Sequence, residues 1–566
     1  MMKTMSSLFK KLFVLAVLLA CSLSASAYDF MVDSIYYNII GEGKVEVTRH
    51  DSIKYKGEVI IPSSVVQDGV TYQVTRIGNN AFYKCTEMSL IDIPEGVTSL
   101  GNSCLSNCTL LEDIELPNSL VDIEGYAFSY CNFTYLHIPR NVASIHHFAL
   151  IYCYKLRNIT CSSLNQHFKA VDGILYSKDM SMLVAYPYDY PSTSYAIPEG
   201  VTSIYNWCFY NNKKLTEVTF PESLTWIGLR AFSNCSNIES FDIPDGVYHI
   251  GVTAFGMCDN LVDIHLPASL DSLQNATFYA CPKLTDITIP RNVKYIGDRA
   301  FYEAVNLKNV TFEEGSCLNE FGLMAFYRCT SLESFDMPDN VTLMGDNDFD
   351  HCTSLKSIHL SRNLTNVGRF CFYGCSSLTE LDIPGTTTFI DNGALYACTS
   401  LKTLKIGDKD APAGTTYIEN DAVASCDALV RMELGANIDT LANYAFDEFS
   451  GVKVIISWAT IPPKMGQWSA FYPAPANLRA VLYVPRVALD AYQNTQHWQD
   501  FKTIVPIEDV SDVNGDGATS IADVTALIDI LLGEETDRLV FCDVNLDGSV
   551  SIADVTALID RLLGAE

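Results

Sequence analysis

The sequence predicts a repeat solenoid, in which a parallel β-sheet is backed by an irregular, turn-rich convex side, with β caps at its ends and a small α domain behind it. Two observations predict this. The segments Ala81 to Cys85, Ala231 to Cys235, Ala254 to Cys258 and Ala325 to Cys329 are copies of one corner motif. The cysteines step by 23 residues through Cys85, Cys108 and Cys131, through Cys235, Cys258 and Cys281, and through Cys329, Cys352, Cys375 and Cys398. Self-similarity at such a period marks stacked units that cannot bury an apolar face alone. The second observation is a duplicated segment near the C-terminus, residues 512–523 and 543–554, each followed by apolar residues at helical spacing. A hydrophobic content of 48%, with 30 Tyr and 28 Phe in 566 residues, is enough for a continuous core and excludes wholesale disorder.

Residues 1–27 read as an export signal. Lys3, Lys10 and Lys11 give the positive region, Leu12 to Ala20 the apolar run, and Ala25-Ser26-Ala27 a small-residue cleavage site. The mature chain would begin at Tyr28. A second reading takes Leu18-Leu19-Ala20-Cys21 as a lipobox, which would put a lipid anchor on Cys21. No other apolar stretch is long enough to span a bilayer, so the expected location is secreted or on the outer cell surface.

Residues 28–75, with Ile35-Tyr36-Tyr37 and Tyr55 to Pro62, are expected to form an N-terminal β cap, because an open solenoid end exposes core and unpaired strand edges. Residues 76–450 hold the array, about fifteen units. Each unit carries a run Leu-x-x-apolar-x-apolar-Pro, as at Leu215 to Pro221, Leu261 to Pro267, Leu284 to Pro290 and Leu378 to Pro384. The alternation marks a short strand with one face inward, and proline ends it. A turn such as Glu95 to Gly101 then leads into the next Ala-Phe corner.

The full unit, Ile-Pro-x-x-Val-x-x-Ile-Gly-x-x-Ala-Phe-x-x-Cys-x-x-Leu, resembles the BspA-type leucine-rich repeat of bacterial surface proteins. The resemblance implies a leucine-rich-repeat solenoid whose partners are host matrix or cell-surface proteins, without identifying one. It extends to the flanks: the N-terminal cap, and a C-terminal cap over 451–505 that contains Leu482 to Pro485, Tyr492, Trp498 and Phe501.

The 23-residue rhythm fails between Cys153 and Asn212. Ile174 to Ser177 and Met182 to Tyr186 flank Lys178 to Ser181, a pattern of a β-hairpin within an insertion over 163–195. Such an insertion is either part of a functional face or a decorated packing elbow.

Nineteen cysteines in an exported chain invite a disulfide reading. The repeat slot argues otherwise, since Asn212 and Ala304 occupy the same phase and the position is a packing site where Cys acts as a small hydrophobe. Stacked coils would hold successive thiols about 5 Å apart but parallel, so reduced, buried thiols are expected. Cys104 with Cys108 and Cys371 with Cys375 are read as structural. Zinc ligation is not expected, because no Cys-x-x-Cys pair or Cys-His cluster has the spacing; His146-His147 falls in a repeat turn.

The C-terminal duplicate carries the strongest chemical signal. A calcium ion takes six to eight oxygens, and positions 1, 3 and 5 of a tight loop aim side chains inward while glycine at position 6 allows the bend. These positions are Asp512, Asn514, Asp516 and Gly517, and Asp543, Asn545, Asp547 and Gly548. Ala518 and Ser549 offer backbone carbonyls at position 7, Ser520 and Ser551 act through water at position 9, and Asp523 and Asp554 close the sphere at position 12. Two bound Ca2+ ions follow, and metal is expected to fold the module. Helices are predicted over Val524 to Leu532 and Val555 to Leu563, stopped by Gly533 and Gly564.

This loop-helix pair, over 509–566, resembles a type I dockerin domain. The resemblance implies a cohesin-like partner, recognised in part by positions 10 and 11, here Ile521-Ala522 and Ile552-Ala553. That pair is more apolar than the hydroxyl pairs common in cellulosomal dockerins. A calcium-stabilised stalk or an intramolecular dock is the alternative.

A net charge of -30 and the lack of Lys or Arg runs argue against nucleic acid. No nucleophile elbow, zinc-protease motif, phosphate loop or recognisable carboxylate pair is present, so no catalytic residues and no enzyme activity are expected. A candidate binding stripe follows from repeat phase: Thr219, Asp242, His265, Thr288, Thr311, Asp336, His359, Asp382 and Lys405, with Glu217, Asp263, Asp286 and Glu380 two residues before. It suits a basic or hydroxyl-rich ligand, or is a merely solvated sheet. Three functions remain open: an adhesin-like surface protein tethered through the dockerin-like module, a non-catalytic member of a polysaccharide-degrading complex, and a structural spacer. With only five Trp, the first is favoured over glycan binding.

Overall fold

The computed structural model describes residues 28–50, 52–448, 451–472, 480–516, 518–533 and 542–564. The signal over 1–27, Cys21 and Gly517 lie outside the described residues. The chain falls into two compact units: residues up to 194 together with 198–215, and 195–197 together with residues from 216 onward. Among the described residues no helix is long and apolar enough to cross a membrane.

The first unit opens with an antiparallel meander, Phe30–Val32, Ile35–Gly41 and Lys44–Thr48. Its last strand pairs in parallel with Val70–Ile77, which continues into the short strands Ser99–Leu100, Asp122–Ile123 and Ser144–Ile145. Gly57–Ile60 begins a second ladder by pairing with Met88–Asp92. The cap therefore supplies a starting strand to both ladders, which satisfies the edge that the first coil would otherwise leave bare. The insertion contains the expected hairpin, Ile174–Ser177 with Met182–Ala185, and a third antiparallel strand, Phe168–Val171. Met182–Ala185 then pairs in parallel with Ser203–Ile204, so the insertion rejoins the array. Asn165 is fully buried and its side-chain amide donates to the carbonyls of Pro139 and Val142 at 2.7 and 2.9 Å, which fastens the insertion to the coil before it.

In the second unit each coil has the same plan. A strand of three or four residues alternates exposed and buried side chains, as in Asp286–Ile289 and Glu380–Ile383. In six coils proline follows, at Pro221, Pro244, Pro267, Pro290, Pro338 and Pro384, and its carbonyl accepts the amide three residues on, as from Val293 to Pro290 at 3.1 Å. A second parallel ladder of mostly two-residue strands comes next, such as Ser272–Leu273, Tyr295–Ile296 and Glu320–Phe321. The residues between proline and the next Ala-Phe corner, expected to form a turn, thus include a short strand. Two residues are too few to display an alternation.

The corner that carries Ala-Phe-x-x-Cys has two residues with positive φ per coil, Thr253 and Met257, then Ala276 and Ala280, then Arg299 and Glu303. Such backbone disfavours side chains other than glycine. It is held by bonds to the next coil: Phe278 N donates to the Ala300 carbonyl and Phe301 N to the Ala325 carbonyl, both at 2.8 Å. Inside the corner, Phe232, Phe255, Phe278, Phe301, Phe326, Phe349 and Phe372 form a column with centroids 5.2–6.0 Å apart. Each pair adds about 0.5–1.5 kcal/mol to the burial itself.

The repeat cysteines are buried thiols, and no disulfide joins the cysteines of the described residues. They also have a polar role that packing alone does not require. The Cys258 thiol donates to the Phe232 carbonyl, Cys281 to Phe255, Cys352 to Phe326 and Cys398 to Phe372, at 3.1–3.3 Å. Burial pushes the thiols of Cys104 and Cys281 up to about 12.

At the C-terminal end one six-stranded parallel sheet runs through Glu380–Ile383, Thr403–Ile406, Arg431–Leu434, Val454–Ser457, Val481–Val484 and Ile504–Pro506. Trp498 is fully buried below it, its indole N–H donating to the Pro463 carbonyl at 2.8 Å, and Tyr492 shares a 2.6 Å hydrogen bond with Ser457. These aromatics pack under the last strands of the sheet.

Candidate functional site

The duplicated loops fold alike. In the first, Gly515 N and Asp516 N donate to Asp512 Oδ1 at 2.8 and 3.0 Å, and Ala518 N donates to Asp516 Oδ1 at 3.0 Å. In the second, Asp547 N and Gly548 N donate to the two oxygens of Asp543 at 2.9 Å, and Ser549 N donates to Asp547 Oδ1 at 2.9 Å. Asn514 and Asn545 each accept the amide two residues on, from Asp516 and Asp547, at 2.9 Å. The position-12 carboxylates close both loops. Asp523 accepts Asn514 N at 3.0 Å and Ser520 N at 2.7 Å, and Asp554 accepts Asn545 N at 3.1 Å and Ser551 N at 2.8 Å.

Asp523 and Asp554 are fully buried, an expensive state for a carboxylate that the loop amides alone compensate in part. Burial pushes Asp543 up to about 6, against the pull of the Gly548 and Asp547 amides and with the charges of Asp554 and Asp547 adding to the rise. Partial burial also raises Asp547, but its bonds from Ser549 and Asn545 and the nearby Arg431 guanidinium outweigh this and hold it below the usual range. Among the described residues no three His, Cys, Asp or Glu side chains are already gathered around a common point. The donor set nevertheless fits a hard cation, since each loop offers carboxylate, amide and carbonyl oxygens and keeps its position-12 carboxylate buried, joined in the second loop by Asp543.

The helices are Ile521–Leu531 and Ile552–Leu563, each starting three residues before the predicted Val524 and Val555. The reason is a capping box. The Ser520 and Ser551 hydroxyls accept from Ala522 N and Ala553 N at 3.1 Å, and Asp523 and Asp554 reach back to the cap amides. The hydroxyls of these two serines, at position 9 of the loops, thus serve as helix caps. Val524, Leu527, Val555 and Leu558 pack with Val513, Cys542 and Val544 into a small core. Ile521 and Ile552, at 73% and 72% exposure, and their neighbours Ala522 and Ala553 stand at the exposed helix starts.

The stripe residues read from repeat phase stand on strands of five separate sheets. Register pairs Asp242 with His265, Thr288 with Thr311, Asp336 with His359 and Asp382 with Lys405; Thr219 is exposed in the same phase on Glu217–Thr219. The ladder is not continuous: Thr311 and Asp336 lie in different two-stranded sheets. The coil from Ala304 to Cys329 is two residues longer than its neighbours, and a cleft of about 490 Å³ lined by Thr311, Glu313, Ser316, Asp336 and Asp339 opens there. Along the stripe the Thr288 and Thr311 hydroxyls share a 2.9 Å bond, and Lys405 pairs with Asp382 at 3.2 Å.

A family model described as BspA type leucine rich repeat region (6 copies) matches residues 75–171, 185–308, 271–402 and 319–453. The dockerin type I domain model matches residues 510–563. A comparison with curated proteins returns no match. Among solved structures the chain is similar to a leucine-rich repeat protein from Bacteroides ovatus, 25% identical over 84% of this chain and 99% of that one, with a TM-score of 0.39. A leucine-rich repeat protein from Eubacterium ventriosum is 21% identical over 56% and 93%, with a TM-score of 0.47. A leucine rich cell surface protein from Faecalibacterium prausnitzii is 21% identical over 72% and 95%, with a TM-score of 0.33.

Proposed function

Because this chain belongs to the BspA-type leucine-rich repeat family and carries a type I dockerin domain behind its repeats, we propose that it is a non-catalytic extracellular or cell-surface binding protein. Both modules come from non-catalytic families. In this reading the sheet face holds a protein ligand, a host matrix or cell-surface protein, and the C-terminal module tethers the chain to a cohesin-like partner. The observation that carries the reading is the presence in one chain of an exposed polar stripe, Thr219 to Asp382, and a doubled loop-helix unit.

Calcium, when bound, supplies a divalent charge that gathers the loop oxygens. Asp512, Asn514, Asp516, Asp523 and the Ala518 carbonyl would hold one ion, and Asp543, Asn545, Asp547, Asp554 and the Ser549 carbonyl the other. Ile521, Ala522, Ile552 and Ala553 would contact the cohesin-like partner. The stripe holds hydroxyls, carboxylates and imidazoles and no aromatic platform for sugar stacking, which favours a protein ligand. Membership of a polysaccharide-degrading assembly is supported by the dockerin domain alone.

The test is a calcium titration of the full chain by calorimetry, repeated with Asp516→Ala and Asp547→Ala. Two saturable sites, one lost in each variant, together with calcium-dependent capture by a cohesin module, support the tether. A wild-type chain that takes up no calcium sinks it.

A further inference from the structure

The outward stripe of the sheet changes character at its C-terminal end. Register carries Asp382 to Lys405, Glu433, Ile456, Tyr483 and Val505. The first three are polar, as in the coils before them, and the last three are apolar. Two residues earlier in the strands, Glu380, Thr403 and Arg431 give way to Val454 and Val481 in the same manner. In earlier coils such positions face water. Here Val454, Ile456 and Tyr483 are buried, at 2%, 0% and 1% exposure.

What covers them comes from the calcium module. Leu546 and Val510 join Val454, Ile456, Tyr483 and Val505 in one apolar cluster. Leu546 is position 4 of the second loop, where the first loop has Gly515, and both residues take positive φ, 55° and 78°. Leucine is disfavoured in that conformation, so the second loop departs from glycine against its own backbone preference, and the side chain it gains fills the cluster. The rest of the loop lies close as well. Arg431 Nη1 donates to the Asn545 carbonyl at 3.4 Å while Nη2 pairs with Glu433 at 3.1 Å. A Cβ added at Gly548 would stand 3.1 Å from Val430 and 3.3 Å from Lys453, side chains of two successive coils. There is almost no spacer: the last strand ends at Pro506, a 3-10 turn covers Ile507–Asp509, and Glu508 accepts the Arg486 amide at 2.9 Å.

We propose that the second calcium loop is an internal latch: residues 543–548, ordered around their ion, seat Leu546 on the apolar end of the sheet face, so that calcium uptake by this loop and closure of the sheet end are one linked equilibrium. The proposal rests on the calcium-binding reading of the loop. A loop held in place by the sheet binds its ion more tightly than a loose one, and linkage makes the dependence reciprocal. The first loop, with Gly515 in place of the leucine, has no such peg.

The test reads calcium affinity after a change in the sheet. The full chain, Ile456→Asp and Leu546→Gly are titrated with calcium by calorimetry, and hydrogen exchange of residues 454–457 and 481–484 is followed with calcium and with chelator. Expected are two sites in wild type, one of them weakened about fivefold or more in both variants with the other unchanged, and faster exchange of the two strands in chelator. Should Ile456→Asp misfold, Leu546→Gly decides, because it copies the residue of the first loop. Two sites within twofold of wild type in a folded Leu546→Gly overturn the latch and leave the calcium reading standing. A wild-type chain that binds no calcium overturns both.

Discussion

The Cys352 thiol donates to the Phe326 carbonyl one coil back, at 3.3 Å, and the same bond links Cys375 to Phe349 at 3.1 Å. The column of cysteines is thus a hydrogen-bonded ladder inside an apolar corner. Cysteine fits because it is small, apolar and carries one weak donor.

Cys352→Ala leaves the Phe326 carbonyl with the Cys329 amide as its remaining donor and opens a small void, and is expected to cost about 1 kcal/mol. Chemical denaturation of wild type and variant checks this. In the native protein a thiol reagent should react fast with Cys317, which is exposed, and slowly with the buried ladder.

Where a glycine follows the second-ladder segment of a coil, as at Gly322, Gly345 and Gly368, coil stacking fixes it. A Cβ at Gly345 would stand 2.6 Å from the Gly322 carbonyl oxygen, and one at Gly368 would stand 2.5 Å from that of Gly345. Gly345→Ala should destabilise by about 1–3 kcal/mol. Gly41→Ala, with nothing within 4 Å, should stay within about 0.5 kcal/mol in the same unfolding assay.

Asp348 occupies the slot that Ala325 fills in the preceding coil, fully buried, accepting the amides of Ala325 and Gly345. Burial pushes its carboxyl up to about 8, with the Asp346 and Asp298 charges adding to the rise. A folded pKa above the unfolded value of about 3.9 means that its contribution is full below pH 4 and lost as pH rises through 8, at up to about 1.4 kcal/mol per pH unit. Asp348→Asn, which cannot ionise, should be less stable than wild type at pH 5, with the gap closing or reversing by pH 9. Melting temperatures across that range decide it.

Asp523 and Asp554 belong to helix caps as well as to loops. Asp554→Ala is therefore expected to destabilise the C-terminal module by about 1 kcal/mol even in chelator. Asp516→Ala, outside the cap, loses only the exposed bonds from Ala518 N and Asn514 Nδ2 in chelator, so its effect should be small there and large when calcium is present. Helix content followed by circular dichroism on heating, with and without calcium, separates the two.

Much of this was legible in the residues. Strand positions such as Ile287 and Leu381 announce themselves because one face of each coil is buried and the other is wet. The repeated Cys slot and the Asp-x-Asn-x-Asp-Gly loops are equally plain. The second ladder was not, because two residues show no alternation. Nor were the left-handed corners, carried by Lys84, Met257 and Arg328 instead of glycine or asparagine: bonds from the neighbouring coil impose that backbone, and local preference does not reveal it. Leu546 belongs to no sequence pattern of its own, and its partners, Ile456 and Tyr483, lie on strands far away in the chain.

The corner bonds, the thiol donors and the glycine contacts all reach one coil forward or back. A whole 23-residue coil from the interior can therefore be copied or excised in frame while every kind of bond finds its counterpart, much as a link is added to a chain. The end coils lack that freedom, since Trp498 and the meander before Thr48 each fit one place. Heredity can lengthen or shorten this protein's sheet by gene duplication in the middle, with the two ends held constant.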